Sequence, residues 1–104
     1  KKGKSDSYLS SSYSMLAIIS VNEGKFSEAG QKFSKASKFA ISKPFKNRLL
    51  FQSLNAYLKS NDLINSEKIL EILKSDDDIE KNKKNEYDRM FNYFKTLKKR
   101  NSNN

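Results

Sequence analysis

A stripe of alternating small and aromatic residues directly behind a glycine turn constrains this chain more than any other feature. After Gly24-Lys25 come Phe26, Ala29, Phe33, Ala36 and Ala40, at steps of three and four residues. Such steps place all five on one face of a helix. Small side chains on that face let a second helix approach closely, and the aromatics fill the space beside the approach. The spacing therefore predicts a helix with close neighbours. It is entered from a tight reversal at Asn22-Glu23-Gly24, where glycine takes the left-handed conformation without steric cost.

Turn signals divide the rest of the chain into further helices. A first is predicted over residues 6–21, with Ser5 or Asp6 capping it by accepting a backbone N–H bond. The second, over 26–41, must stop before Pro44, because proline disfavours helical geometry in the residue before it. Ser42-Lys43-Pro44 then reads as the cap and first turn of a third helix running to Lys59. Phe45, Leu49, Leu50, Phe51, Leu54, Ala56, Tyr57 and Leu58 cover more than one of its faces, which makes it central. After Ser60-Asn61-Asp62, a fourth helix is predicted over 63–74.

The acids Asp76, Asp77 and Asp78 oppose the dipole at a helix C-terminus and so belong to the start of the next element. That fifth helix is predicted from Ile79 or Asn82 to Lys99, with Tyr87, Met90, Phe91, Phe94 and Leu97 as its apolar stripe. The reading is an all-α fold with one helical domain over residues 6–99. A disordered basic N-terminus at 1–5 and a disordered tail at 100–104 flank it.

Charge and composition exclude most chemistry. The net charge of +9 is divided as +2 over residues 1–6, +1 over 7–80 and +6 over 81–104, so the folded middle is nearly neutral. A basic end of this kind suits nucleic acid or an anionic membrane surface, or is simply solvated. There is no histidine and no cysteine, which removes the commonest general base, thiolate nucleophiles, disulfides and the commonest metal ligands. The glycines stand singly at positions 3, 24 and 30, so there is no phosphate-cradling loop. Ser10, Ser11 and Ser12 have no base nearby in sequence.

A calcium loop counted from Asp76 would need glycine at its sixth position and glutamate at its twelfth, where Lys81 and Tyr87 stand. No enzyme activity, small-molecule substrate, cofactor or metal is expected. The longest apolar run, from Met15 to Val21, is far short of the roughly 18 residues of a membrane span. A soluble domain is expected; a chain opening on Lys1 leaves room for an upstream segment that tethers or exports it, so the compartment is left open.

The two central turns answer one another. Asn61-Asp62-Leu63 stands where Gly24-Lys25-Phe26 stands, 37 residues earlier. At the same offset Tyr13 matches Leu50, Ala17 matches Leu54, Ala29 matches Ser66, Phe33 matches Leu70 and Ala36 matches Leu73. The first unit resembles the tetratricopeptide repeat, whose units of about 34 residues carry W-x2-L-G-x2-Y, then A-x3-F, then a closing proline. Tyr13-x2-Leu16-Ala17, Gly24-x-Phe26 and Ala29-x3-Phe33-x2-Ala36 carry the likeness, over residues 10–44 and less fully over 46–77.

Ser20, Gly30 and the late Pro44 depart from the pattern, as do Asn61 and Ser66 in the second unit. The resemblance implies two antiparallel helical hairpins, with the last helix as a capping element.

It also implies a function: a non-enzymatic adaptor or scaffold whose first helices line a concave face. On that basis Ile18, Val21, Arg48, Phe51, Asn55, Leu58 and Lys59 are the candidate partner-binding residues. They form an apolar strip with a polar rim, suited to a helix or peptide segment of another protein or to a second copy of the chain. Covered by the last helix instead, the same apolar groups would be core. The clamp by which some members of that family hold a terminal carboxylate is not expected. At its positions stand Ser14, Ile18, Asn55, Asp88 and Asn92, and only Asn55 fits.

Overall fold

The computed structural model describes residues 3–102, and the expectations for residues 1, 2, 103 and 104 lie outside the described residues. The elements are α1 (Lys4–Asn22), α2 (Phe26–Lys38), α3 (Lys43–Lys59), α4 (Leu63–Lys74), α5 (Asp77–Asn82) and α6 (Lys84–Ser102). No strand occurs among the described residues. Neighbours in sequence pack together: α1 on α2, α2 on α3, α3 on α4 and α4 on α6, with α5 touching α4 and α6. The result is a slab of 48 × 34 × 17 Å, about two helices deep.

The two reversals are built alike. Gly24 has φ +76° and Asn61 φ +61°, both left-handed. Lys25 N–H donates to the Ser20 carbonyl at 2.8 Å and Gly24 N–H to Val21 at 2.9 Å. Asp62 N–H donates to Tyr57 at 2.9 Å and Asn61 N–H to Leu58 at 3.0 Å. Each pair closes the end of a helix through a left-handed residue and satisfies carbonyls that would otherwise lack partners. Every donor and acceptor of the second turn lies 37 residues after its counterpart in the first.

Burial follows the same offset. Ala17 and Leu54, Ala29 and Ser66, and Ala36 and Leu73 are all fully buried. Ser20, where the resemblance leads one to expect an aromatic, is buried and accepts a hydrogen bond from the Lys32 ammonium at 3.1 Å. Its counterpart Tyr57 fills the corresponding place with a ring, which lies against Gly30. Two hydroxyls tie the helices across their interfaces. Ser10 Oγ donates to the Ala36 carbonyl at 2.9 Å between α1 and α2, and Ser53 Oγ to the Gly30 carbonyl at 2.7 Å between α3 and α2.

Two apolar clusters result. One holds Ala17, Ala29, Phe33, Ala36, Ala40, Leu49 and Ala56. The other gathers Leu50, Leu54, Tyr57 and Leu58 with Leu70, Leu73, Ile79, Phe94 and Leu97. Helix α3 contributes to both, as its many apolar positions require.

Several boundaries differ from the sequence reading. Helix α1 begins at Lys4 on the cap Gly3, whose N–H donates to Asp6 Oδ2 at 3.1 Å, and α6 continues to Ser102. Residues 4, 5 and 100–102 are therefore helical rather than disordered. Helix α2 stops at Lys38, where Phe39 and Ala40 make tightened bonds to Ala36 and Ser37. The expected fifth helix is two, broken at Lys83 (φ −129°, ψ 21°).

The acids do open a helix: Asp76 caps α5, with Asp77, Asp78 and Glu80 in its first turn. Burial pushes the Asp76 carboxyl pKa up. The Asp78 N–H, the Lys43 ammonium, the Ile79 N–H and the Asn47 amide outweigh that and hold it below the ordinary 3.8. Asp76 Oδ1 accepts from Asp78 N–H at 2.8 Å, and Lys43 Nζ stands 3.5 Å from Oδ2.

A folded pKa below the unfolded one means that the unfolded chain binds more protons, so this contribution is full above the ordinary value. It is lost as pH falls through the lower folded value. Asn caps as well as Asp. Asp76→Asn is therefore expected to flatten the fall in the urea midpoint as pH drops through and below the ordinary carboxylate range, while costing less than about 1 kcal/mol near neutrality. An unchanged acid limb would remove Asp76 from it.

Candidate functional site

Four exposed polar residues of α3, Arg48, Gln52, Asn55 and Lys59, follow one another at steps of four, three and four, so they form one ridge along the helix. A groove runs on each side. Toward α5 and α6 lies an opening of about 720 Å³, floored by Phe45, Phe51 and Met90 and edged by Arg48, Asp78, Lys83 and Glu86. Toward α1 lies a smaller one of about 220 Å³, bounded by Ile18, Val21, Phe26, Phe33 and Lys59. Gln52 and Asn55 border both.

The structure thus brings six of the seven sequence candidates to one face. Ile18, Val21 and Lys59 belong to the smaller groove, Arg48 and Phe51 to the larger, and Asn55 to both. Lys59 Nζ sits 5.5 Å from the Phe26 ring centroid, so its stem covers the apolar wall and its charge stays at the rim. Phe51 is only 5% exposed and offers one side to the groove floor. Leu58 departs from the sequence expectation. It is 2% exposed, lines neither groove, and belongs to the cluster containing Leu70, Leu73, Phe94 and Leu97.

Sequence reasoning missed Gln52, although its spacing from Arg48 and Asn55 is helical and would have found it. It also missed Asp78, Lys83, Glu86 and Met90, whose arrival depends on the break at Lys83. Asn47 is buried at the edge of the larger groove. Its amide lowers the Asp76 pKa, yet Nδ2 makes no hydrogen bond of acceptable geometry. Rim charges of the larger groove are balanced, two cations against two carboxylates.

Other surfaces carry less. Among the described residues no cluster of three His, Cys, Asp or Glu side chains could hold a metal ion, and no helix is long and apolar enough to cross a membrane. Two carboxylates of the acidic run are already engaged: Asp78 Oδ1 accepts from Asn82 Nδ2 at 2.7 Å, and Asp76 caps α5. On α6 the rings of Tyr87, Phe91 and Phe94 stack in series, with Lys95 and Lys98 held 5.0 Å and 5.9 Å from the Phe91 and Phe94 centroids. Burial, then the charges of Glu71 and Asp88, raises the Tyr87 phenol pKa.

Comparison of the chain with protein-family models, with curated proteins and with solved structures returns no match.

Proposed function

We propose that the chain is a non-enzymatic, tetratricopeptide-like interaction module that takes a helix or peptide segment of a partner protein into the double groove on either side of α3. The repeat reading is supported by the two left-handed turns with equivalent hydrogen bonds 37 residues apart. One observation carries the binding reading. An apolar floor of Phe45, Phe51 and Met90 continues past a polar ridge to the apolar wall of Ile18, Val21 and Phe26. Apolar floors with polar rims suit recognition in which a few buried anchors supply affinity and rim groups set orientation.

The ridge residues are exposed, so changing them leaves the core intact. The double variant Arg48→Glu/Asn55→Ala is expected to reduce capture of partner proteins from native lysate by about tenfold or more. Its helical circular dichroism and melting should match the parent. Undiminished capture would discard the groove as the binding surface.

A second reading assigns binding to the basic segment 81–100, where Lys81, Lys83, Lys84, Lys98, Lys99 and Arg100 are exposed. It predicts retention on nucleic acid or anionic vesicles that falls steeply with salt. The rings that would stack on bases are instead committed to one another and to the core, which favours the groove.

A further inference from the structure

The outward face of α1 carries Tyr8, Met15, Leu16 and Ile19, each between 45% and 65% exposed, and Leu9 beside them at 40%. Helix α1 is unusual in another respect, since no charged residue lies between Asp6 and Glu23. A helix apolar on its outer side as well as its inner one belongs in an interior rather than at a surface.

The repeat identifies what kind of surface this is. Tyr8, Ser12, Leu16 and Ile19 lie 37 residues before Phe45, Leu49, Ser53 and Ala56. In α3 those positions form the face closed by α2. Leu49 and Ala56 are buried in the α2 cluster, Phe45 packs against it, and Ser53 Oγ bonds the Gly30 carbonyl of α2. Among the described residues no helix lies on the equivalent face of α1.

We propose that a second copy of this chain closes that face, α1 lying antiparallel on its partner's α1 across a twofold axis. Three features select this occupant. The first is charge: on a chain of net charge +9, the uncharged stretch from Ser7 to Asn22 is the place where two copies meet without opposing like charges. The second is shape. With Leu16 set opposite Ser12 of the other copy, each leucine enters the gap above a serine, and Ile19 falls opposite Leu9.

The third feature is the ends. The same register brings Lys4 of one copy beside Glu23 of the other, twice in the pair, so the Glu23 carboxylate, 3.5 Å from Lys25 Nζ within its own copy, gains a second cation. A head-to-tail arrangement is disfavoured, because the exposed side of α6 presents Arg89, Lys95, Lys99 and Arg100, and burying them against an apolar stripe leaves them without counter-charge. Two copies are self-complementary through α1, and the assembly stops at a dimer.

A stripe of this length buries on the order of 1,000 Å² in total, near the lower limit for a specific contact. The dimer is accordingly a weak one, half-formed at roughly 10 to 100 μM. Sedimentation equilibrium of the full chain across that range is expected to give a mass rising from 12.0 kDa toward twice that value. Leu16→Glu should stay monomeric throughout with an unchanged helical spectrum, since its site is exposed. Lys4→Glu should weaken the dimer several-fold, and adding Glu23→Lys should restore it.

Arg48→Glu, which lies in the groove, should leave the mass curve unaltered, so failure of the groove reading and failure of this one are separable. A 12.0 kDa mass persisting to about 1 mM would overturn the proposal. So would a dimer indifferent to Leu16→Glu, or one that Glu23→Lys fails to rescue.

Discussion

Gly30→Ala is expected to lower the melting temperature, although alanine is the better helix former by about 1 kcal/mol. The reason is steric. A Cβ at Gly30 would sit 2.7 Å from Cδ1 and Cε1 of Tyr57. That ring is 4% exposed, so it has no free space to move into. The 2.7 Å bond from Ser53 Oγ to the Gly30 carbonyl also holds the two helices at this separation.

Forcing a methyl group into a packed interface costs about 1–3 kcal/mol. Set against the propensity gain, the net loss for alanine is up to about 2 kcal/mol, and for Gly30→Val about 3 kcal/mol or more. In a domain of this size each kcal/mol moves the midpoint by roughly 4–8 °C. Combining Gly30→Ala with Tyr57→Leu should recover part of the loss, because the narrower side chain yields the space. A higher midpoint for Gly30→Ala alone would mean that α2 and α3 are not in close contact there.

Leu58→Ala should cost about 2–5 kcal/mol, a large share of the roughly 5–15 kcal/mol that holds an ordinary domain together. Denaturant titration reads this directly. The side chain is 2% exposed in the cluster shared by α3, α4 and α6, so truncation leaves a hole with little chance of collapse. Any drop in partner capture by this variant would therefore report unfolding rather than a lost contact. Val21, its counterpart in the first unit, is half-buried and lines the smaller groove, so Val21→Ala should cost distinctly less. Equal losses at the two positions would contradict the placement of Leu58 inside the core.

These contrasts mark what was legible in the residues. Where a local signal decides the outcome, the reading was close. Asp62 caps α4, which spans Leu63–Lys74 as predicted, and Ser42 caps α3 just ahead of Pro44. The pairing of Gly24 with Asn61 was readable because a left-handed residue is needed at each turn, and asparagine tolerates that conformation better than most residues. The break at Lys83 carried no glycine or proline to announce it. The separation of α5 from α6 and the path of α6 were consequently invisible.

Much of the candidate site depended on that path. Arg48, Asn55 and Lys59, assigned to a concave face by the resemblance, stand exposed on one ridge of α3. Whether Phe51 and Leu58 were surface or interior could not be read from α3, because it depends on how far α6 folds across it. Conversely, the exposure of Leu16 and Ile19 was hidden, since apolar residues in a helix look the same whether a neighbour is present or not.

The order of packing bears on how the chain acquires its shape. Each helix rests chiefly on a near neighbour in the chain, α6 reaching past the short α5 to α4, and most close pairs are local in sequence. Little loop entropy is lost before contacts form, so folding is expected within microseconds to milliseconds. It can also proceed from the amino end as synthesis continues: α1 and α2 can join while the rest is still being made, and α3 then adds to an existing surface. Leu58 leaves water for good only as the cluster it shares with α4 and α6 is completed.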